Sequence, residues 1–472
     1  MRRRDVRRRG ARRPGGGGVL AGVLLGAALV LGGVADAAPR PRVAIVLIDG
    51  LDARRFAEAL MPTVWGLATG AGAAGAFYPD ARAVMPTVTN TNHVSIMTGA
   101  YAEAHGIVGN MFWDLDTRRA VRSEHARHLQ VETLFTVIER RRPELMTAAL
   151  FGKSRLVSLF AADGRQRAPD VLWGDVATES EATDANEGFA SDRRTMDAVL
   201  DLLARERRVD LLFVALPDVD RTSHVFGPES HQARAAMLEA DRQVTRLVGA
   251  LKRDGAWDET VLMITSDHGF VSVAADAAAG RPYPVVTIGR SLAEVGLDAA
   301  TVGVLGAGGL ETLVLRGADD PATLARLRKQ VLAQPGVIEA WYRAPNPADG
   351  GEAFTLGRAH PDWRMSHPRV GDLVLAAAPG HHFVDPFSNW AAAMSGTHGG
   401  PDVQAIPIVV TGGHPWLRRE RPGGSAGAAA AANPDLGATA AWLLDVPAPR
   451  MVDGGKVPDA VRGRVLEEAF AR

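Results

Sequence analysis

The 472-residue sequence contains no cysteine, which excludes both a disulfide framework and lipid attachment through an N-terminal cysteine. No internal repeat is apparent, and the longest apolar run falls short of the roughly 20 residues that a membrane-spanning helix requires. Beyond the first residues there is no basic stretch that would favour a nucleic acid duplex as a partner. The fold must therefore depend on a hydrophobic core without covalent cross-links.

The first 37 residues have the pattern of a signal peptide. An arginine-rich start, Met1–Arg13, precedes an apolar run, Val19–Val34, and the small-residue sequence Ala35-Asp36-Ala37. We expect cleavage near Ala37 and export to the periplasm or the exterior, with membrane attachment only if the segment is retained as an anchor. Cleavage leaves 45 basic and 52 acidic residues, a formal charge of −7.

The length predicts more than one structural unit. Roughly 435 residues remain after cleavage, which exceeds the ~250–300 residues at which a single core stops growing. We expect residues 38–280 and 380–472 to form a core domain, and residues 281–379 to form a smaller α+β cap inserted into it.

Short apolar runs that end in polar residues predict buried parallel strands. Helix-patterned stretches lie between them, which predicts a doubly wound α/β sheet flanked by helices. The predicted strands are Arg42–Ile48, Val209–Leu216, Thr260–Thr265 and Ala405–Thr411, and the predicted helices are Arg194–Arg205, His231–Arg253 and Ala438–Leu444. Arg418–Asn433 is predicted to be a loop. Within the cap we expect strands at Glu311–Arg316 and Val337–Tyr342 and a helix at Ala322–Leu332.

Acidic residues and histidines follow three of these strands, and a further histidine lies in a Gly-rich stretch just before the fourth. The residues are Asp49, Asp220 with His224, Asp267 with His268, and His398 in Gly-Thr-His-Gly-Gly. Because ligands bind beyond the carboxyl ends of strands in such sheets, we expect these side chains to meet at one edge. Three carboxylates and three imidazoles form the mixed oxygen and nitrogen set that suits two zinc ions, although ligand type alone does not exclude manganese or cobalt.

The stretch Met85–His93 reads Met-Pro-Thr-Val-Thr-Asn-Thr-Asn-His, and His105-Gly-Ile-Val-Gly-Asn110 follows it. It resembles the Pro-Thr-x-Thr-x-x-Asn-His stretch of nucleotide pyrophosphatases/phosphodiesterases, a branch of the alkaline phosphatase superfamily. The resemblance implies an alkaline-phosphatase-like fold and a hydrolase acting on phosphodiester or pyrophosphate bonds. It also implies that Thr89 is the nucleophile and that Asn110 binds the transferred phosphoryl group.

The same resemblance divides the ligands between two divalent metal ions, and we expect both to be zinc. It implies that Asp49, Thr89, Asp267 and His268 hold one ion, and that Asp220, His224 and His398 hold the other. The implied reaction passes through a phosphothreonine on Thr89, which metal-bound water then hydrolyses. A dication favours the alkoxide of a threonine hydroxyl, and a helix beginning at Thr89 would favour it further. The implied substrate is a small-molecule phosphoester, with nucleotides among the candidates.

Other substrates and functions remain open. Lys153 and Arg155 resemble the Lys-x-Arg pair of threonine-nucleophile phosphomonoesterases, where two cations suit the dianion of a monoester; a solvated loop pair is the alternative. The motif is also similar to that of phosphonoacetate hydrolases, which cleave a C–P bond. A phosphothreonine mutase and a non-catalytic metal-binding protein are the remaining alternatives.

Some residues near the motif receive structural interpretations. His93 and His105 match no ligand position, so we expect them to pack or to form hydrogen bonds. Tyr78, Phe112 and Trp113 are candidates either for stacking on a nucleobase or for packing in the core.

Overall fold

Buried strands alternate with helices, and in the described residues they form a seven-stranded sheet, a four-stranded sheet and three two-stranded sheets. The computed structural model describes residues 40–174, 189–273, 285–316, 320–384, 386, 394–419 and 430–471. Residues from Pro39 to Arg472 form one unit, and the predicted signal peptide, 1–37, lies outside the described residues. No helix within the described ranges has both the length and the apolar character needed to cross a membrane.

The strands are β1 Arg42–Ile48, β2 Ala76–Arg82, β3 Met111–Asp114, β4 Arg119–Arg122, β5 Thr147–Phe151, β6 Val171–Gly174, β7 Leu211–Leu216, β8 Thr260–Thr265, β9 Val271–Ser272, β10 Val285–Val286, β11 Val302–Gly306, β12 Leu310–Leu315, β13 Val337–Tyr342, β14 Leu373–Ala377, β15 His382–Phe383, β16 Gly396–Thr397 and β17 Ala405–Gly412. The α-helices are α1 Pro62–Thr69, α2 Thr89–Thr98, α3 Ala102–His105, α4 Leu134–Arg141, α5 Arg155–Leu159, α6 Asp192–Arg205, α7 Asp218–Phe226, α8 His231–Arg253, α9 Gly289–Glu294, α10 Pro321–Leu332, α11 Leu356–Ala359 and α12 Asn433–Leu443. Short 3-10 turns lie at Ala53–Arg55, Ala126–His128, Trp257–Glu259, Pro368–Val370, Pro401–Val403, Asp459–Val461 and Glu467–Ala469.

The large sheet has seven strands in the order β2-β17-β8-β1-β7-β5-β6. Strands β8, β1, β7, β5 and β6 run parallel to one another, whereas β17 is antiparallel to both β8 and β2. The prediction of a mostly parallel sheet with buried central strands is therefore confirmed.

Successive residues of β1 belong to two different cores. Val43, Ile45 and Leu47 pack in one core with residues of α2, α4 and α12, while the intervening residues pack in the other with residues of α1, α6 and α8. Because side chains alternate across a strand, helices must cover both faces of this sheet. This arrangement explains why the central strands are apolar without interruption, as expected of a doubly wound fold.

A second sheet has four antiparallel strands in the order β11-β12-β14-β13. On β14, Leu373 and Leu375 face a core shared with α9 and α10, and Val374 faces the opposite side. On that side it clusters with Met85 and Phe112, which come from the segment that contains the threonine motif. The small sheet thus packs directly against that segment; the domain limits at 281 and 379 stay a prediction.

Most predicted elements match the observed ones to within two residues, but the last helix does not. It begins at Asn433, five residues before the predicted start at Ala438. Pro434 occupies the first turn, where its missing N–H costs nothing, and Asp435 accepts a hydrogen bond from the backbone N–H of Ala432 at 2.9 Å. Of the loop predicted at Arg418–Asn433, residues 420–429 lie outside the described part of the chain.

Candidate metal centre and nucleophile

Three neighbouring strands of the large sheet end in acidic residues. Asp49 follows β1, Asp267 and His268 follow β8, and Asp220 lies in the first turn of α7, directly after β7. Because the three strands are parallel and adjacent, their carboxyl ends meet at one edge of the sheet. All four side chains are buried, with at most 2% of each residue exposed.

These side chains form a cluster around the imidazole of His268. Its Nε2 lies 3.5 Å from Asp267 Oδ2, 3.6 Å from Asp49 Oδ1 and 3.9 Å from Asp220 Oδ1. The short distances place His268 between carboxylates that the family resemblance assigns to two different metal ions.

Two further histidines complete the cluster from other elements. His224 lies one helical turn after Asp220 on α7, and its Nε2 is 3.4 Å from Asp220 Oδ1. His398 follows β16, and its Nε2 is 3.7 Å from the same oxygen and 3.2 Å from His224 Nε2. The ring of His398 also stacks on that of His268, with centroids 3.7 Å apart. The structure thus brings together all six Asp and His side chains selected from the sequence.

The three histidines share one hydrogen-bond pattern, in which Nδ1 lies close to a backbone carbonyl oxygen. The pairs are His224 with Gly396 at 3.2 Å, His268 with Gly269 at 3.0 Å and His398 with Thr87 at 2.9 Å. Since a carbonyl oxygen only accepts, Nδ1 carries the proton and Nε2 keeps its lone pair. Histidines that bind metals in proteins are commonly oriented in this way.

The donor set fits metal ions. Among the described residues, Asp49 Oδ1, Asp220 Oδ1, Asp267 Oδ2 and His268 Nε2 are buried without a hydrogen-bond partner. Leaving a buried polar atom unsatisfied costs about 1–3 kcal/mol, and a cation bound by these atoms would remove that cost. Two groups in the described ranges have the required proximity, Asp220 with His268 and His398, and Asp49 with His93 and Asp267.

Thr89 is the first residue of α2, directly beside this cluster. It is 1% exposed, and its Oγ1 accepts hydrogen bonds from Lys153 Nζ at 3.1 Å and from Arg155 Nη2 at 3.4 Å. Asn110 lies next to the same helix start, where its Oδ1 accepts a hydrogen bond from the backbone N–H of Asn90 at 3.2 Å. The positive end of the α2 dipole therefore points toward the threonine hydroxyl.

The family profile described as "Type I phosphodiesterase / nucleotide pyrophosphatase" matches residues 43–401, which is most of the chain. This chain belongs to that family.

Curated relatives of the phosphodiesterase family match shorter stretches. Ectonucleotide pyrophosphatase/phosphodiesterase family member 7 of Rattus norvegicus is 27% identical over 213 residues, covering 43% of this chain and 45% of that protein. A bis(5'-adenosyl)-triphosphatase of Xenopus laevis is 24% identical over 239 residues, covering 50% of this chain and 48% of that protein. The chain spans about half the length of the curated relatives it matches.

A solved structure of the family has the same fold. It is murine ectonucleotide pyrophosphatase/phosphodiesterase 5, an inactive form in complex with AMP. The TM-score is 0.66 at 17% sequence identity, and the match covers 91% of this chain and 100% of that one. The expected alkaline-phosphatase-like α/β fold is thereby confirmed.

Lys153 has a more central position in this family member than its sequence context suggests. It is 2% exposed, and its Nζ lies 2.6 Å from Asp49 Oδ2 and 2.8 Å from Asp220 Oδ2. The alternative of a solvated loop pair is therefore wrong for Lys153. Sequence spacing could not show this, because the contact joins the end of β5 to the ends of two other strands.

One lysine does not balance the three carboxylates. Burial, together with the nearby carboxylates of Asp220 and Asp267, raises the pKa of Asp49 well above its usual range. Burial would also raise the pKa of Asp220, but Lys153 and His224 hold it well below its usual range. Burial opposes the charge of Lys153, yet the two carboxylates raise the pKa of its ammonium group. The three carboxylates therefore resist ionising together beside a single lysine, and divalent cations would favour the ionised forms.

The aromatic candidates pack in the core. Tyr78, Phe112 and Trp113 are 5%, 0% and 4% exposed, and each belongs to a hydrophobic cluster. Nucleobase stacking is therefore not available to them. His105 is fully buried and lies 2.8 Å from Ser95 Oγ through its Nε2, which agrees with the predicted hydrogen-bonding role.

Proposed function

We propose that this protein is a two-metal phosphoester hydrolase that cleaves phosphodiester or pyrophosphate bonds with Thr89 as its nucleophile. One observation carries the proposal. Six Asp and His side chains converge beside the hydroxyl of a threonine at the start of a helix, and the three histidines each donate a hydrogen bond from Nδ1 to a backbone carbonyl. The names of the relatives and membership of the family support this reaction class.

We propose the ligand roles that the family resemblance implies. Asp49, Thr89, Asp267 and His268 would hold one ion, and Asp220, His224 and His398 would hold the other. His268 Nε2 lies within 3.9 Å of carboxylate oxygens of both sets. The mixed oxygen and nitrogen donors favour zinc for both ions. When bound, the ions would supply Lewis acidity for the threonine hydroxyl, the leaving oxygen and water.

The chain's own groups would carry out two displacements. Thr89 Oγ forms a bond to phosphorus while the bond from phosphorus to the leaving oxygen breaks, which leaves a phosphothreonine. A water molecule then attacks the same phosphorus, the bond to Thr89 Oγ breaks, and phosphate or a phosphomonoester departs. Asn110 and the start of α2 lie where they would bind the phosphoryl oxygens.

A nucleotide is the substrate class that the comparisons favour. The fold neighbour was solved with AMP, and one relative is named as a bis(5'-adenosyl)-triphosphatase. We therefore propose a small nucleotide ester or anhydride as substrate.

We also propose that the protein acts after export. N-terminal sequencing of the secreted protein should then give Ala38 as the first residue.

A phosphomonoesterase is the second candidate because two cations contact the nucleophile. Lys153 and Arg155 both donate to Thr89 Oγ1, so an attached phosphoryl group would lie within their reach. A monoester dianion gains more from two cations than a diester with a single charge. This arrangement makes substrate charge the property to test.

The test compares rates on purified, zinc-loaded protein. The substrates are bis-p-nitrophenyl phosphate, thymidine monophosphate p-nitrophenyl ester and p-nitrophenyl phosphate. We expect the diesters to be preferred at least tenfold, and Thr89→Ala to lower kcat by about a thousandfold or more. Thr98→Ala, at the other end of α2, should retain activity. Monoester preference would establish the second candidate, and activity that survives in Thr89→Ala would contradict both.

A further inference from the structure

His93 is fully buried beside the proposed nucleophile, yet the family resemblance gives it no role. It lies four residues after Thr89 on α2, so both side chains occupy the same face of the helix. Its ring contacts Phe151 of β5 and Phe213 of β7, with centroid distances of 6.4 and 5.8 Å. This packing fixes the orientation of the imidazole.

The Nδ1 atom of His93 faces two groups of the site. It lies 2.9 Å from the backbone oxygen of Thr89 and 3.6 Å from Asp267 Oδ2. The carbonyl only accepts, so Nδ1 carries the proton, and the contact with the carboxylate is electrostatic because it is too long for a second hydrogen bond. The backbone carbonyl of Thr89 and the carboxylate of Asp267 thus face a single N–H group.

Asp267 is held in a way that leaves one oxygen for a cation. Its Oδ1 accepts hydrogen bonds from the backbone N–H groups of Gly50 and His268, at 3.1 and 3.0 Å. Its Oδ2 has no hydrogen-bond partner in the part of the chain that the structure describes. His268 Nε2 lies 3.5 Å from this oxygen but carries no proton in the tautomer assigned above, so the N–H of His93 is a donor positioned to limit rotation of the carboxylate about its fixed oxygen.

We propose that His93 is a positioning residue that aligns Asp267 Oδ2 for metal binding and holds the first turn of α2, which carries Thr89. His93 differs from the three clustered histidines, whose Nε2 atoms face the carboxylates, since here the nitrogen facing the carboxylate carries a proton. A protonated nitrogen has no lone pair for a metal ion, so His93 acts through Asp267 and Thr89. The proposal rests on the metal site proposed above.

The test uses three substitutions in the full chain, His93→Asn, His93→Gln and His93→Leu. The amide nitrogen of asparagine reaches about the position of Nδ1 and that of glutamine about the position of Nε2, while leucine has no donor. The Zn²⁺ affinity is measured by competition with a chromophoric chelator. We expect His93→Asn to stay within about threefold of the wild type, and the other two to lose about tenfold to a hundredfold for one ion.

His105→Leu is the matched control, because it removes another buried histidine that hydrogen-bonds to Ser95 and not to a ligand. Its Zn²⁺ affinity should stay at the wild-type value. If His93→Leu does not fold, the comparison of the two amide variants decides the question. Equal affinity in all folded His93 variants would overturn the proposal, as would a glutamine variant that binds better than the asparagine variant.

The same experiment separates this proposal from the proposed function. A wild-type protein that cleaves the test esters while every His93 variant binds Zn²⁺ normally would retain its function and refute the role of His93. The opposite result is also distinguishable. If the His93→Asn and His93→Gln variants differ in Zn²⁺ affinity as expected, but the wild-type protein cleaves none of the esters, the positioning role of His93 is supported and the proposed hydrolase function is refuted.

Discussion

Replacing Lys153 by methionine tests how the charges of the site are balanced. The ammonium group is buried and lies 2.6 Å from Asp49 and 2.8 Å from Asp220. Methionine has a similar length and volume, so the change removes the charge with little loss of packing. Removing one partner of a buried ion pair costs about 3–5 kcal/mol, because the remaining charges stay buried without compensation.

The loss of stability in Lys153→Met should depend on whether metal ions are bound. In the presence of a chelator we expect Lys153→Met to lower the free energy of unfolding by the full ~3–5 kcal/mol. With saturating Zn²⁺, cations on the same carboxylates replace the lost charge, and the loss should fall to about half or less. Guanidinium denaturation followed by tryptophan fluorescence measures both values.

Arg155→Met is the control for this prediction. Arg155 reaches Thr89 Oγ1 at 3.4 Å from a half-buried position, and we expect its replacement to change stability by about 1 kcal/mol or less, with or without metal. The reasoning would be refuted if Lys153→Met cost the same with chelator as with Zn²⁺. A loss below about 1 kcal/mol in chelator would refute it as well.

Three further predictions follow from other parts of the molecule. Burial lowers the pKa of His105 from 6.5 to about 3, so between these pH values only the unfolded state gains a proton. As the pH drops below about 6.5, the free energy of unfolding should therefore decrease by up to ~1.4 kcal/mol per pH unit. His105→Gln should reduce this slope in denaturation curves measured at several pH values. In Gly399→Ala the new Cβ would overlap the backbone carbonyl of Ala307, and φ is +99°, so we expect the free energy of unfolding in denaturant to fall by more than ~3 kcal/mol. Gly357→Ala is the control, since a Cβ there has nothing within 4 Å; it should be neutral or stabilising by up to ~1 kcal/mol. Dialysis against a chelator should abolish hydrolysis, and Zn²⁺ should restore it; full activity without metal would contradict the two-metal proposal.

The chain sequence predicts the site because of the way parallel sheets are built. Asp49 and Asp267 each follow an uninterrupted apolar run, and such runs predict buried strands whose carboxyl ends share one edge. The local pattern is therefore enough to place both residues together without knowledge of the strand order. His398 is different, since it follows no predicted strand and lies in the Gly-rich stretch Gly-Thr-His-Gly-Gly.

Other features of the site depend on contacts between distant segments. The ion pairs of Lys153 join the end of β5 to Asp49 and Asp220, and no local pattern shows that a lysine after a strand will be buried. The contact of His93 with Asp267 spans α2 and the end of β8. In both cases the partner of the side chain is set by packing between segments far apart in the chain.

The sequence by itself determined the α/β alternation, the strand-end ligands and the threonine motif, because apolar periodicity and the chemistry of side chains are local properties. Only the tertiary structure decided that β17 runs antiparallel, that the small sheet packs against the threonine segment, and that Lys153 lies between two carboxylates. These features depend on strand order and on which faces are buried together. Both are set by contacts between residues far apart in the chain, which local periodicity does not encode.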